Sequence, residues 1–447
     1  MGQAGIDRGF PCELGRSFIP RPRGRCGSTA FVSPGRTVPH AGRRGDAVTE
    51  FVQDTVDSVS TAAHVRSGQW PDLQPSARAA LQLVLRRGPL GRAEMARMLG
   101  VSRANLTRVT RELLTAGLVR EGPTELRAKT GRPIELLQLV VDAHHFVGVK
   151  LTGEALYAVV VNLTNDIVAS TEIELRSRLP VDVAEVVDEI AVILNDFQKE
   201  FPNIAGIGVT LAGTISGKPG HEVVYESTFM GWDGVALADL LSVRVGLPVK
   251  VENDVQALTL AESISMQGHS SEVTMALVTV GVGIGVGFVL EGALLRGANG
   301  RPGKLSHLIV DADGPLCDRG HRGCVSSFVS NASIAINAGR ETYNDALLAA
   351  KNGDETALRA FREAGRALGI LLGTLANATD PGRIILTGDG LALYSIAESS
   401  IDEGLTAVRA WDAGGFTLDV RSFDFSEWAK AAAVMAINTA LTTGRIR

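Results

Sequence analysis

From Pro75 onward the apolar residues fall into a helical rhythm that the preceding stretch lacks. In PSARAALQLVLRR, Leu81 and Leu85 stand four apart; GPLG breaks the run; RAEMARML makes a second short helix; GVS breaks again; and RANLTRVTRELLTAG makes a third. Ser102 stands where an N-cap belongs, and Leu106, Val109 and Leu113 form the inward stripe of the third helix. After Gly117, LVREG and the later ELLQLVV read as two strands joined by the loop PTELRAKTGRP. Three helices with tight joints and a following hairpin make a winged helix-turn-helix. From His145 the period drops to two. FVGVKLT, ALYAVVVNL and IVASTEIEL predict three consecutive strands, VDVAEVVDEIAVILNDFQKEF a helix, and IAGIGVTL another strand. A second set repeats the plan with TMALVTVG, IGVGFVLEG, helical material near 357–378, and RIILTG ending in Gly388.

Three antiparallel strands, a helix and a parallel strand, used twice, describe an α/β body of the two-lobed actin-like ATPase (ribonuclease H-like) architecture, with ligands held in the cleft between the lobes. The expected organisation is a mostly disordered extension over 1–70, the DNA-binding winged helix-turn-helix over 71–143, and the two-lobed body over 144–447. Residues 1–46, rich in Gly, Pro, Ser and Arg with no apolar periodicity, read either as a flexible arm or as the product of a start codon assigned too early. Asp7, Glu13 and the Pro/Gly density argue against an organelle-import helix there. Residues 47–70 suggest a short helix.

Charge separates the two parts. Residues 75–134 hold 12 Lys and Arg against 4 Asp and Glu, a surplus of +8, while residues 135–447 hold 23 against 38, or −15, within a chain of net charge −5. A basic unit on an acidic body implies a polyanionic partner for the unit alone. Arg103, Asn105, Thr107, Arg108 and Arg111 lie off the inward stripe and, with Ser102, make a donor set suited to phosphates and base edges of DNA. Arg127, Lys129 and Arg132 make the wing basic, and Arg132, held between Gly131 and Pro133, has the rigidity to reach a minor groove. Surface arginines on a three-helix bundle often just face water; the coincidence of charge, punctuation and basic wing points instead to double-stranded DNA. No apolar run reaches the roughly 18–20 residues of a membrane helix, and four cysteines in 447 residues are no disulfide framework, so a cytoplasmic setting is expected.

The sequences GPLGRAEMARMLGVSRANLTRVTRELLTAGLV and TGRP, then VENDVQAL, VGVGIGVGFVLEGALLRGANGRPGKLSH and CDRGHRGC, resemble the ROK family of bacterial sugar-responsive repressors and sugar kinases. The resemblance covers more than four fifths of the chain, from residue 75 to the end, and the N-terminal helix-turn-helix is the mark of the repressors. It implies that Asp254 stands at the position of the kinases' catalytic base, with Asn253 beside it on a sugar hydroxyl; the pair can equally end a strand and cap a helix from Val255. It also exposes departures. Where family kinases have Asp-x-Gly-Gly-Thr, this chain has Lys150, Leu151, Thr152, Gly153 and Glu154; where they have Gly-Thr-Gly, it has Gly281, Val282 and Gly283. A lost acid, a lost hydroxyl and a carboxylate in the path of the phosphates imply that ATP is not used. Lys304 stands where the family's Glu grips sugar, leaving it to pair with Asp254 or to welcome an acidic or phosphorylated sugar. His307, implied to bind ligand, also belongs with Cys317 and Cys324 to an incomplete zinc site in which Arg319 takes the place of a Cys; water, Asp318 or His321 completes it, or zinc is absent.

The expected function is therefore a DNA-binding regulator, a repressor of carbohydrate genes, with no catalytic residue of its own. Its effector is a sugar or sugar phosphate bound by Asn253, Asp254, Lys304 and His307, and two-fold operators favour a homodimer. The alternatives are an ATP-dependent sugar kinase with a DNA-binding appendage and a regulator that has lost ligand control.

Overall fold

The computed structural model describes residues 69–126, 133–176, 178–266, 273–410 and 415–443. The readings made for residues 1–68 and for the wing residues Arg127, Lys129 and Arg132 fall outside them. Three helices come first: α1 (Pro75–Arg87), then α2 (Arg92–Met98) after the two-residue strand β1 (Leu90–Gly91), and α3 (Arg103–Thr115). Pro75 lies in the first turn of α1, where a missing N–H costs nothing, and the Ser102 hydroxyl caps α3 by accepting from Asn105 N at 3.2 Å. The helices bury Leu81, Met95, Leu106 and Leu113 against one another. Strands β2 (Val119–Leu126) and β3 (Pro133–Leu139) pair antiparallel, and β1 joins them in the order β1-β3-β2.

The sequence pattern predicts a loop over Pro123–Leu126, yet β2 continues to Leu126. The register slips between Glu121 and Thr124, so Gly122 and Pro123 form a bulge, and pairing resumes at Thr124 opposite Glu135. A bulge is where a proline can sit in a strand without forfeiting a ladder bond.

The first lobe follows with β4 (His145–Leu151), β5 (Ala155–Val161), β6 (Ile167–Glu174), α4 (Val183–Glu200), β7 (Ile204–Leu211), the hairpin β8 (Thr214–Lys218) and β9 (His221–Glu226), α5 (Leu237–Val245) and β10 (Val249–Asn253). Its sheet runs β10-β7-β4-β5-β6, with β4, β7 and β10 parallel to one another. The second lobe comprises α6 (Asp254–Met266), β11 (Met275–Val280), β12 (Ile284–Leu290), β13 (Ala293–Leu294), α7 (Val325–Val329), α8 (Asn331–Asn337), α9 (Tyr343–Lys351), α10 (Glu355–Thr379), β14 (Arg383–Thr387), α11 (Ala392–Val408) and β15 (Thr417–Val420), with the sheet order β13-β12-β11-β14-β15. The last helix, α12 (Phe425–Thr443), returns to the first lobe.

Strand alternation decides what meets what. Val147, Val149 and Leu151 pack with Ile190 of α4 and Leu241 of α5 on one face of the first sheet. Phe146, Gly148 and Lys150 turn to the other face, under α12. That helix lies so close that a Cβ on Gly148 or Gly208 would strike the carbonyl of Ala429 or Ala432. Its alanines, with Phe146, Val159 and Val161, join the core of α1–α3 without a break. Trp70 is the keystone, its ring 5.7 Å from Phe146 and 5.3 Å from His144. At the far end of α12, the Leu441 carbonyl accepts from Gln82 Nε2 of α1 at 3.2 Å. Among the described residues no helix is long and apolar enough to cross a membrane.

Candidate functional site

The carboxyl ends of β4, β7 and β10 and the turn after β11 open on one cleft of about 300 Å³, bounded by Lys150, Asn253, Asp254, Gly281–Gly283, Lys304, Asp389 and Trp428 among others. Asn253 ends β10 and caps α6: its Oδ1 accepts from Gln256 N at 3.1 Å, and its Nδ2 donates to the Gly213 carbonyl at 3.0 Å. Asp254 begins the helix, with Oδ1 accepting from Val255 N at 2.9 Å. Its Oδ2 accepts from Lys150 Nζ, and the two side chains are buried together, at 6% and 4% exposure. The ammonium also lies 5.1 Å from the centroid of the Trp428 ring, so its positive charge meets a carboxylate and a π face rather than water.

This corrects the pairing weighed for Lys304. Asp254 takes Lys150 because β4 and β10 flank β7 in one sheet, which brings residues 104 apart in sequence side by side. Lys304 lines the cleft, exposed, with no carboxylate partner among the described residues.

On the second lobe Val282 is 64% exposed at the tip of the β11–β12 turn. Asp389, which belongs to none of the motifs above, lies beneath that turn, against Gly281. Asn331 Nδ2 donates to its Oδ2 at 3.0 Å. Burial pushes its carboxyl above the ordinary carboxylate value, against the hydrogen bonds of the Val282 amide and Asn331. The signal that could have found it was its setting, a carboxylate between Gly388 and Gly390 at the end of a parallel strand.

His307 is absent from the cleft lining and turns toward the loop at 317–324. Its Nδ1 lies 3.6 Å from Cys317 Sγ and 3.7 Å from Cys324 Sγ, and the His321 ring meets it edge-on at 5.1 Å. The ligand atoms of His307, Cys317, His321 and Cys324 all fall within 4.8 Å of one another. A tetrahedral zinc ion with Zn–S of about 2.3 Å and Zn–N of about 2.0 Å needs donors about 3.3–3.8 Å apart, so a two-His, two-Cys set fits after a small contraction. Loss of the competing protons is favoured too. Burial chiefly, with His321, Arg319 and Lys304, lowers the His307 value against the pull of Asp318. Burial of the Cys317 thiol is outweighed by hydrogen bonds from Cys324 and the Arg319 and His321 backbone, leaving it below the ordinary thiol value. Arg319 swings out to Glu226 of β9, 3.6 Å away.

On α3, Arg103, Thr107, Arg108 and Arg111 are exposed and Asn105 is half-buried. Asn105 Oδ1 accepts from Arg108 Nη2 at 3.1 Å, and the Thr107 hydroxyl donates to the Arg103 carbonyl at 2.9 Å. Arg103 and Arg111 have no acidic partner among the described residues.

A two-lobed body with a ligand cleft, continuous with a basic helical unit, is the class of molecule these features define. The chain belongs to the ROK family, whose pattern matches residues 146–403. It is similar to the DNA-binding transcriptional repressor Mlc of Escherichia coli, at 24% identity over 83% of this chain and 95% of that protein. Among solved structures it resembles a ROK family transcriptional regulator homologous to E. coli Mlc, with a TM-score of 0.71, 24% identity and coverage of 83% of this chain and 98% of that one. It also shares the fold of a ROK family glucokinase from Streptomyces griseus in complex with glucose and AMPPNP, with a TM-score of 0.54, 23% identity and coverage of 65% and 98%.

Proposed function

We propose that this chain is a sugar-responsive transcriptional repressor. Residues 71–143 act as a winged helix-turn-helix that reads operator DNA through α3, and the body over 144–447 acts as a non-catalytic effector sensor, paired as a homodimer on two-fold sites. The observation that carries the reading is the Lys150–Asp254 pair. A kinase needs that carboxylate free to take a proton from the sugar hydroxyl, whereas here it is held by an ammonium and stays an acceptor only. The relatedness to Mlc supports the DNA-binding half. Within the cleft, Lys304 is the cation without a carboxylate, which favours an effector bearing a carboxylate or phosphate. Zinc bound by His307, Cys317, His321 and Cys324 would hold the loop that follows.

The test is a salt series of operator binding, using duplex selected from random sequence, with and without glucose or glucose 6-phosphate. Replacing Arg103 and Arg108 with Ala is expected to cost about 1–3 kcal/mol per specific contact. The phosphorylated sugar should release DNA better than the neutral one, and Lys304→Glu should reverse that order. ATP-dependent sugar phosphate formation by the wild type, lost in Asp254→Asn, would defeat the reading in favour of a kinase.

A further inference from the structure

A glycine-rich turn can cradle an anion with its backbone amides, and the Gly281–Gly283 turn after β11 lines the cleft. Here the cradle already holds a carboxylate. Asp389 lies so close under Gly281 that a Cβ on that glycine would fall on its Oδ1. Asn331 Nδ2 donates to its Oδ2 at 3.0 Å. The surrounding turns are also tied by their backbones: Gly390 N donates to the Val280 carbonyl at 3.0 Å and Asn331 N to the Gly281 carbonyl at 2.8 Å. The carboxylate is therefore fixed in place by the segments around it rather than left to swing aside.

We propose that Asp389 is a built-in anion that occupies the phosphate position of the Gly281–Gly283 turn and keeps nucleotides and other polyphosphates out of the cleft, reserving it for the carbohydrate effector. This rests on the sensor reading above and adds the residue that enforces it. Two effects act together. The side chain takes the volume a phosphate would need, and its charge repels an incoming polyanion at contact distance. Glu154, exposed on the β4–β5 turn, adds a weaker, solvent-screened repulsion.

The experiment measures binding of pyrophosphate and of ATP with magnesium to the full chain by calorimetry, comparing wild type with Asp389→Asn, Asp389→Gly and Glu154→Gln. Both Asp389 variants are expected to bind pyrophosphate at least tenfold more tightly than wild type, and Glu154→Gln to change little. The Asp389→Asn change keeps the side-chain shape and an oxygen able to accept from Asn331 Nδ2, so that variant should fold; retained operator binding checks it. No gain in either Asp389 variant overturns the proposal, as does an equal gain from Glu154→Gln. Tighter binding of magnesium and ATP by wild type than by the variants would make Asp389 a metal carboxylate and also overturn it. Failure of the sensor reading is separable, because it appears as sugar phosphorylation by wild type and not as a change in pyrophosphate affinity.

Discussion

Lys150 and Asp254 illustrate how much one ion pair can decide. Each is desolvated, and each has extra support, Lys150 from the Trp428 ring and Asp254 from the Val255 amide. Removing one partner strands the other charge in a dry site at a cost of about 3–5 kcal/mol, whereas replacing both with apolar groups of similar volume can be nearly neutral. Lys150→Met alone is thus expected to destabilise the body by that amount in urea denaturation, and the double change to Met and Leu to recover most of the loss; additive losses would show the two sites to be uncoupled. Both residues could be singled out from the chain alone, one as a departure from the kinase pattern and one as the base position. Their union could not. It depends on β7 lying between β4 and β10, and on Lys150 sharing the α12 face with Phe146 and Gly148, neither of which a local pattern reports.

At the level of elements, the loop from Cys317 to Cys324 shows the limit of reading spacing. Three ligands were evident, but water, Asp318 and His321 competed for the fourth place. The Cys317 amide donates to the His321 carbonyl at 2.8 Å, closing a turn that brings His321 back over the first cysteine while the neighbouring Arg319 leaves for Glu226. Chelation at neutral pH is expected to lower the melting temperature and to open the 309–324 segment to protease. His321→Ala should retain well under half of the roughly one equivalent of zinc a four-ligand site holds, measured by mass spectrometry. If Asp318→Ala loses zinc and His321→Ala does not, the ligand set is wrong. The three N-terminal helices, α4, part of α10 and most strands of the two sheets are legible from periodicity, whereas α5, α7, α8, α9, α11 and the alanine-rich α12 are not; β2 is underestimated because Gly122 and Pro123 signal a turn, and a bulge uses the same residues.

Taken whole, the described residues show no seam between the three N-terminal helices and the first lobe. Trp70, His144 and Phe146 lie on that junction, and His144 Nδ1 is buried without a partner. Burial, aided by the neighbouring charge of His145 and opposed by a hydrogen bond to the Asn203 backbone, lowers the His144 value below 6.5. Asp142, 3.6 Å from His145 Nε2, is the nearest acid paired in this segment. The unfolded chain therefore binds the proton more readily than the native one: stability is full above about pH 6.5 and is lost as the pH falls from there toward the native value. Unfolding at pH 7.5 and 5.5 should show the drop, and His144→Phe should flatten it; an unchanged slope would place the titrating group elsewhere. The pattern of the chain suggests a boundary at residue 143, and a change of period does occur there, but periodicity is blind to which cores merge. That merging has a practical outcome for anyone dissecting the gene. A fragment ending near residue 143 would carry Trp70 and the exposed underside of α1 into solvent without Phe146, Val159 or α12 to cover them, so it should aggregate rather than serve as a portable DNA-binding cassette, and the helices cannot be grafted onto another sensor without importing the C-terminal helix that seals them.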